Sequence, residues 1–559
     1  MSFDLRDEAW IPWRRRSGRV EWAPPSLIVD RLADDPVVAI AAPRPDFNGA
    51  IEEFMIGLLT AALQPVDEED WLRMWEQPPA RERLEQAITG LPGTFDLDGD
   101  GPRAFQDLSA GDFQEVKPAP IEQLLVDAAG DQTTRLNKDL FVKRDRFERL
   151  GRPAAAMALI TMQTYAPAGG KGYRTSLRGG GPLTTLVDPR VDTTGESRAH
   201  DLPLWQRLWA NVQSQEQWRA AVPGNVRSLD EAFPWLGAPR RSEDKSVRTT
   251  PSDVHPLQAF FGAPRRIRLE FDTAGTCDMT GRFDECTVAT YRTRNYGANY
   301  EGWRHPLSPH YRQKVGAEWL PVHGQPGGVG WRDWVGLTFR ATDGALREPA
   351  AVVGAFARRA TWLGLRTFRL HAFGYDFDNM KARGWVDASM PVFAVESEAE
   401  EQRLRDLAVR LTDATGMTSS ALLGQVKRAR FGETEDVAGD LSAVKTELWA
   451  ATEHAFYDAV ADVARSGLEA EALPDARCRD FADVLERSAT AIFDRWCPRS
   501  GVPANGLRRV VAARYGLVMT VRGYSALGEK LFAALRIPAP GGGRVARKNA
   551  KRARKETTA

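Results

Sequence analysis

The chain has 559 residues, 43% of them hydrophobic, and its 75 basic and 75 acidic residues give a formal net charge of zero. This length exceeds that of one ordinary domain. The balanced charge excludes a global cationic field that would attract nucleic acid to the whole protein, so any such binding must come from local patches.

Four cysteines are too few for a disulfide framework in a chain of this size and indicate a reducing compartment. Residues 1–7 are charged where a signal peptide needs an apolar core, and no run of about 18 apolar residues is present. We therefore expect a cytoplasmic protein with no membrane partner.

The first 395 residues mix short apolar runs with frequent glycine and proline, which is typical of an irregular α+β domain. Residues 51–63 predict an amphipathic or buried helix. A polar–apolar alternation predicts a strand over 266–271, and a second strand is expected over 183–187 after a tight glycine turn. Residues 365–372 alternate less cleanly and predict a strand that leads into a loop over 374–385.

The pattern changes after about residue 395, where apolar residues recur at helical spacing. Four helices are predicted, the fourth broken near Gly516 or Gly523, over 404–411, 441–463, 481–492 and 507–535. Four long helices with connecting loops predict a four-helix bundle. The fold class is therefore α+β: a large irregular mixed domain over 1–395 and a C-terminal four-helix bundle over 396–537.

Residues 538–559 form a basic tail that is expected to be disordered. After a Pro-Gly-rich start it carries seven basic residues, namely Arg544, Arg547, Lys548, Lys551, Arg552, Arg554 and Lys555. Such a block often contacts nucleic acid, and a solvated tail that keeps the protein soluble is the alternative.

Two unusual segments point to function. Residues 168–181 are rich in glycine and also contain Lys171, Arg174 and Arg178. Dense glycine marks a backbone that must approach a partner closely or take up positive φ, and the cations favour an anionic partner. With the second segment over 374–385, this predicts a protein that binds phosphate backbone and base edges and breaks no bonds.

The sequence predicts no metal and no cofactor. Gly170-Lys171 is followed by Gly172 where a P-loop needs Ser or Thr. Structural zinc needs four ligands, usually in Cys-x-x-Cys pairs, whereas Cys277 and Cys286 each stand alone. Asp376 and Asp378 lack a neighbouring His or Glu cluster, which favours loop hydrogen bonds over metal binding.

Several motifs, in order along the first 385 residues, resemble the large CasA-type subunit of type I-E CRISPR Cascade complexes. Each motif is weak alone, but their order and the helical bundle after them make the resemblance specific. They are Phe3-Asp4-Leu5 with Ala9-Trp10-Ile11-Pro12, Ser176-Leu177-Arg178-Gly179-Gly180, Arg294-Asn295-Tyr296-Gly297-Ala298-Asn299-Tyr300, Gly302-Trp303-Arg304-His305-Pro306, and Gly374-Tyr375-Asp376-Phe377-Asp378-Asn379-Met380-Lys381-Ala382-Arg383.

The resemblance implies a subunit with no active site. It would recognise the protospacer-adjacent motif in double-stranded target DNA, largely from the minor groove, and wedge the duplex open so that guide RNA can pair. The implied partners are the CRISPR RNA-containing Cascade subunits and a helicase–nuclease that docks on this subunit.

The resemblance also implies site residues, carried over position by position. The family's glycine loop falls on Gly169, Gly170, Lys171 and Gly172, and its minor-groove cation on Arg294. The wedge falls on Asp378, Asn379, Met380 and Lys381, where Asn379 replaces the glutamine of better-known members. A loop that touches the motif and the guide matches Arg135, Leu136 and Lys138. The zinc knuckle of some members is not carried over.

Two other functions stay open. The chain is a metal-dependent nuclease if Asp376, Asp378 and His371 form a catalytic cluster. It is an architectural scaffold if its basic surfaces touch only RNA or protein. Arg383 has a structural interpretation in every case, since an ion pair with Asp376 or Asp378 would stiffen its segment.

Overall fold

The computed structural model describes residues 2–109, 111–139, 144–190, 202–224, 226–244, 246–339, 344–378, 381–432, 440–500 and 504–540. Its strands are β1 (Ile11–Arg15), β2 (Val20–Ala23), β3 (Val37–Ile40), β4 (Ala119–Pro120), β5 (Leu150–Gly151), β6 (Thr184–Asp188), β7 (Arg266–Asp272), β8 (Gly275–Thr276), β9 (Phe283–Asp284), β10 (Thr287–Arg294), β11 (His310–Tyr311), β12 (Leu320–Pro321), β13 (Arg347–Glu348), β14 (Thr367–Asp378) and β15 (Lys381–Phe393).

Its helices are α1 (Pro45–Leu63), α2 (Glu68–Glu76), α3 (Arg81–Thr89), α4 (Asp131–Arg135), α5 (Arg152–Tyr165), α6 (Leu204–Trp209), α7 (Gln215–Ala221), α8 (Gln258–Phe261), α9 (Trp334–Thr338), α10 (Ala351–Trp362), α11 (Glu398–Phe431), α12 (Ser442–Ser466), α13 (Leu473–Trp496), α14 (Ala504–Val521) and α15 (Ala526–Ala534). The predicted α+β class with a helical C-terminal part is confirmed. Among the described helices, none combines the length and the apolar character that a membrane span requires.

The chain divides into two compact units. The first comprises residues 1–329 and 336–392, and the second comprises 330–335 and 393–559. The short segment 330–335 therefore belongs with the C-terminal helices, although it lies some sixty residues before them in the sequence.

The described residues of the first unit form five small sheets. Their strand orders are β2-β1-β3, β4-β10-β5 with β7 also paired to β10, β12-β11-β13, β15-β14-β6 and β8-β9. Helix α1 is buried along most of its length, as its predominantly apolar sequence predicts, and it packs against α5. The predicted strands at 183–187 and 266–271 are confirmed as β6 and β7, each shifted or extended by one residue.

The predicted loop over 374–385 is wrong, because β14 continues to Asp378 and β15 starts at Lys381. Gly374 serves close strand packing: a Cβ there would lie 2.4 Å from the carbonyl oxygen of Pro182, just before β6. The aromatic residues of the segment are buried or half-buried in the same hairpin, with the rings of Tyr375 and Trp385 5.0 Å apart.

The second unit is a helical bundle of α11 to α15. Ser397 and Glu400 form a capping box at the start of α11. The fourth predicted helix is interrupted at Gly523, which has a φ of 77° and lies between α14 and α15. A Cβ at this position would come within 3.0 Å of the Phe532 ring, so the turn requires glycine.

Trp331 explains why residues 330–335 belong to this unit. Its indole Nε1 donates a hydrogen bond of 2.7 Å to the carbonyl of Trp449 on α12. Its ring stacks on Phe456 with centroids 4.4 Å apart, and only 2% of its surface is exposed.

Candidate nucleic-acid interface

The glycine loop (residues 166–173) begins where α5 ends. The Tyr173 amide donates to the Gly170 carbonyl at 3.1 Å, which closes a tight turn. Gly172 has a φ of 82°, a backbone conformation that side chains disfavour. Gly170 and Lys171 at the turn are exposed, so this loop presents mainly backbone to solvent.

The segment after β10 holds the glycine loop in place. The Tyr296 amide donates to the Gly172 carbonyl at 2.6 Å, and the Asn295 side chain donates to the Lys171 carbonyl at 2.6 Å. A Cβ on Gly172 would approach both Asn295 and Tyr296 to 2.9 Å. Since Arg294 directly precedes these residues, the fold brings the predicted glycine loop and the predicted cation together.

Arg294 is half-buried and fixed at one point of its guanidinium. Its Nε donates to the backbone carbonyl of Asp112. No other hydrogen-bond partner of this guanidinium occurs in the described part of the chain. The Asp112 carboxylate pairs with Arg241 and Arg266, so three arginines converge around one aspartate. This arrangement leaves the Arg294 terminal nitrogens available to an anion or to a base edge.

The predicted wedge falls between β14 and β15 in the sequence. Asn379 and Met380 lie outside the described residues. Asp378 and Lys381 on either side of them are exposed. The Lys381 ammonium has no partner among the residues that the structure describes.

An ion pair braces the hairpin below its tip. The Arg383 guanidinium donates to both carboxylate oxygens of Asp376, at 2.6 and 3.1 Å. This hydrogen bonding raises the pKa of Arg383. The predicted pairing of Arg383 with Asp376 is therefore confirmed, and its two-point geometry restricts how the strands can twist.

Two glycines bring the hairpin close to the stem of the glycine loop. A Cβ on Gly181 would lie 2.2 Å from the Phe377 ring on β14. A Cβ on Gly180 would lie 3.1 Å from the backbone nitrogen of Ala168, at the start of the glycine loop. The turn over 179–181 therefore precedes β6 as predicted, and it contacts both the β14–β15 hairpin and the glycine loop.

The predicted guide-contacting residues lie on a separate exposed segment at the end of α4. Arg135 donates to the Gln132 side chain at 2.7 Å, and the Lys138 amide donates to the Thr133 carbonyl at 2.9 Å. Leu136 is 52% exposed. Within the described residues, no hydrogen bond joins Arg135, Leu136 or Lys138 to the glycine loop or the hairpin.

Two of the three cations that favoured an anionic partner, Arg174 and Arg178, bind other parts of the protein. Arg178 is 4% exposed and forms an ion pair of 2.5 Å with the buried Glu53. Arg174 donates to the side chain and the carbonyl of Ser242, at 2.8 and 3.0 Å. Only Lys171 projects from this segment without a partner in the described structure.

The residues of the nuclease alternative have other partners. The Asp376 carboxylate is occupied by Arg383, and the imidazole Nε2 of His371 lies 3.1 Å from Asp387. Among the described residues, no three His, Cys, Asp or Glu side chains are placed to hold a metal ion. Of the two cysteines weighed for zinc, Cys286 donates its thiol to the carbonyl of Asp272 at 3.1 Å, and burial raises the pKa of that thiol.

Sequence reasoning missed Asp112 and Asn295, which contact Arg294 and the glycine loop, and Arg265, which donates to the carbonyl of Pro167 in that loop. Asp112 and Arg265 lie in no motif, and they reach the site only through tertiary contacts. Asn295 stands in the quoted 294–300 motif, so its position next to Arg294 was the available signal.

A family model described as CRISPR-associated protein Cse1 matches residues 4–491 of the chain. The chain belongs to the Cse1 family. This match covers all the candidate site residues, whereas α14 and α15 lie beyond it. A comparison with curated protein sequences gives no significant match.

Solved structures agree with the family at the level of the fold. Cse1 from Thermobifida fusca superimposes with a TM-score of 0.68 at 14% identity, over 96% of this chain and 98% of that one. Cse1 from Acidimicrobium ferrooxidans gives 0.65 at 18% identity, over 97% and 99%. A chain of a structure described as a CRISPR RNA-guided surveillance complex gives 0.61 at 16% identity, over 92% and 99%.

Proposed function

We propose that this chain is the non-catalytic DNA-recognition subunit of a CRISPR RNA-guided Cascade complex. It recognises the protospacer-adjacent motif from the minor groove of target DNA, wedges the duplex open and docks the helicase–nuclease. The observation that carries the proposal is the junction of the exposed glycine loop with Arg294 through Asn295 and Tyr296. Membership of the Cse1 family and the likeness to a chain of an RNA-guided surveillance complex support it.

The geometry suits a narrow groove. The minor groove is about 6 Å wide, and its pattern separates mainly A·T from G·C pairs. A glycine backbone enters where larger side chains would clash, and Arg294 supplies a cation beside it. A correct base contact is worth about 1–3 kcal/mol, which is enough to reject a wrong motif without holding DNA tightly.

The hairpin suits the wedge. Unstacking a base step costs a few kcal/mol, which the inserted side chains and the later pairing with the guide offset. The Asp376–Arg383 ion pair stiffens the strands below the tip, and the exposed Lys381 supplies a cation for the displaced backbone. A protein that reads a short motif while RNA reads the sequence is an established division of labour in guided effectors.

The test measures DNA binding by the assembled complex, with a motif selected from a randomised duplex library. Arg294→Ala and Asn379→Ala are expected to reduce the affinity ratio between motif and mismatched duplexes while assembly stays intact. Arg19→Ala removes one exposed cation far from these elements in the sequence and serves as the control. Unchanged ratios in both site variants would remove the support for DNA recognition and favour a scaffold.

The nuclease alternative has its own test. Purified protein is incubated with duplex DNA and Mg²⁺ or Mn²⁺, and no cleavage is expected. Cleavage that disappears in Asp378→Ala would overturn the non-catalytic assignment. Recruitment of the helicase–nuclease is measured on complexes assembled with and without this subunit, and equal recruitment would refute the docking role.

A further inference from the structure

A second concave site lies within the first unit, in a cavity of about 670 Å³. Small-molecule sites in proteins have volumes of about 300–1,000 Å³ and mostly apolar walls. Helices α7, α8 and α10 and the segment before β11 form the walls, and Trp218, Phe260 and Trp303 are their aromatic members. None of the lining residues belongs to the glycine loop, the β14–β15 hairpin or the segment that contains Arg294. The cavity is therefore separate from the proposed DNA interface.

One wall is the 302–306 motif, Gly302-Trp303-Arg304-His305-Pro306, which takes no part in the proposed DNA interface. Its two ring side chains are held by hydrogen bonds. The Trp303 indole donates to the carbonyl of Thr249 at 2.8 Å, and Nδ1 of His305 accepts from the Leu307 amide at 3.2 Å. The motif therefore contributes a fixed wall in which the polar atoms of both rings are already engaged.

Two other residues of the wall carry buried polar atoms with no hydrogen-bond partner among the described residues. These atoms are Nε1 of Trp218, which can only donate, and Nε2 of His310. Trp218 is 7% exposed and His310 is 3% exposed. Buried polar atoms in native proteins are nearly always hydrogen-bonded, so two unpaired atoms in one cavity wall need an explanation.

His310 contributes an acceptor at Nε2. Burial lowers the pKa of His310 to about 4, so the imidazole is neutral at neutral pH. A neutral imidazole donates through one nitrogen and accepts through the other. The backbone of Ser308 engages the ring and opposes the fall in pKa, which is the effect of a carbonyl acceptor. The proton therefore lies on the other nitrogen, and the wall contains one unpaired donor at Trp218 and one unpaired acceptor at His310.

Arg358 on α10 adds an exposed cation to the lining of the cavity. Its guanidinium donates to the carbonyl of Gly354 at 3.2 Å, and it has no carboxylate partner among the described residues. Arg304 and Glu348, which also line the cavity, form an ion pair and neutralise each other. The lining therefore carries a net positive charge, which favours an anionic group on a ligand.

We infer that this cavity binds a nucleotide, with its base against Trp218 and His310 and its phosphate at Arg358. A nucleobase carries a donor beside an acceptor on one edge, as adenine does at N6 and N7, and so complements both unpaired wall atoms. Aromatic side chains favour such a ligand because flat rings pack and stack on them. The site goes beyond the proposed function, since it is defined by residues that the DNA interface does not use.

Ordered water is the alternative partner of the two wall atoms, because a polar cavity of this size can hold water molecules. In that case the cavity has no ligand of its own. Substitution of Trp218 or His310 would then change the stability of the protein, and no nucleotide would bind. Direct measurement of nucleotide binding separates the two explanations.

The first measurement is calorimetric titration of the purified full chain with AMP, GMP, CMP and UMP, in the absence of DNA and RNA. At least one of them is expected to bind. Trp218→Phe keeps an aromatic ring but removes the N–H group, so it should weaken that binding about tenfold, as expected for one buried hydrogen bond. Trp235→Phe is the matched control, because its indole donates to the carbonyl of Thr94 at 2.7 Å and does not line this cavity.

The second measurement tests the phosphate contact. Arg358→Gln should weaken binding of the preferred nucleotide about fivefold and leave binding of the matching nucleoside unchanged, because the nucleoside lacks the phosphate. Arg19→Gln, which removes another exposed cation, should change neither affinity. An unaltered preference for nucleotide over nucleoside in Arg358→Gln would contradict the role of Arg358.

The third measurement fills the cavity and identifies the source of the base. Ala351 lines the cavity at the exposed start of α10, so Ala351→Trp should abolish nucleotide binding while the protein stays folded. Thr361→Trp, an exposed position on the same helix outside the lining, is the control. A single-stranded oligonucleotide carries the same chemistry and is titrated as well. Its affinity falls in Ala351→Trp if a strand supplies the base, and stays unchanged if only free nucleotides enter.

Two results would overturn the inference. The first is the absence of binding of all four nucleotides to the wild-type chain at millimolar concentration, which leaves the cavity to water. The second is nucleotide binding that persists in both Trp218→Phe and Ala351→Trp, which places the nucleotide elsewhere. Motif-dependent DNA binding by complexes that carry Ala351→Trp should equal that of the wild type, so this site and the proposed function are tested independently.

Discussion

Substitution of Arg178 by methionine tests the division of the glycine-rich segment into binding and structural cations. The guanidinium donates to Glu53 at 2.5 Å, to the hydroxyl of Thr184 at 2.9 Å and to that of Ser308 at 3.1 Å. Glu53 also accepts from Tyr165 at 2.7 Å. In Arg178→Met the Glu53 carboxylate would remain buried without its counter-ion.

The expected loss in the free energy of unfolding is about 3–5 kcal/mol, the cost of removing one partner from a buried ion pair. Much of this loss comes from the Glu53 carboxylate, which stays buried without a counter-ion, and not from the hydrogen bonds that Arg178 no longer donates. The double variant Arg178→Met with Glu53→Gln should therefore recover part of it. The loss should also shrink at acidic pH, because an unpaired buried carboxyl group has a raised pKa and the folded state then binds its proton more readily.

The assay is denaturant unfolding of the full chain, followed by DNA affinity per correctly folded complex. Arg174→Met, whose guanidinium bonds only to Ser242 in the described structure, is a control from the same segment. Arg178→Met with wild-type stability and a large loss of DNA affinity would refute the structural assignment of Arg178.

Four further outcomes are expected. Gly170→Ala should keep wild-type stability, since the added Cβ meets open space, but should lower DNA affinity because the methyl group obstructs close approach of the loop to DNA. Gly101→Ala, whose Cβ also meets open space, is the matched control. Equal DNA affinities of the two variants would contradict a contact between the glycine loop and DNA. Burial lowers the pKa of His310 to about 4, so stability should fall as pH drops from about 6.5 towards 4, by about 2 kcal/mol at pH 5. His310→Gln should remove that part of the pH dependence, and an unchanged plot of stability against pH would contradict the role of His310. Trp331→Ala should cost the second unit about 3–5 kcal/mol, measured by hydrogen exchange on α12, and unchanged protection would contradict its packing role. Removal of residues 544–559 should lower non-specific DNA affinity and its salt slope, whereas an unaltered slope would indicate a solubility role.

The helices and the family could be predicted from the sequence because both depend on local information. Apolar residues at 404–411 and 441–463 recur with the helical period, so the pattern itself defines the buried face of each helix. Short motifs such as 294–300 carry the family resemblance in the same way. The glycine loop and Arg294 were identified as candidate site residues by this route.

Only the tertiary structure decided which of these residues face solvent. Lys171 and Arg178 are indistinguishable as cations in a glycine-rich segment, yet Arg178 meets Glu53, which lies 125 residues away in the chain. Gly374 indicates a loop by composition, but its neighbour across the sheet makes it part of a strand. Arg265 has no sequence signal, because the contacts that bury it, such as the one with the carbonyl of Pro167, come from elements far apart in the chain. Long-range packing sets the dielectric environment and the partners of each charge, and no local pattern encodes either.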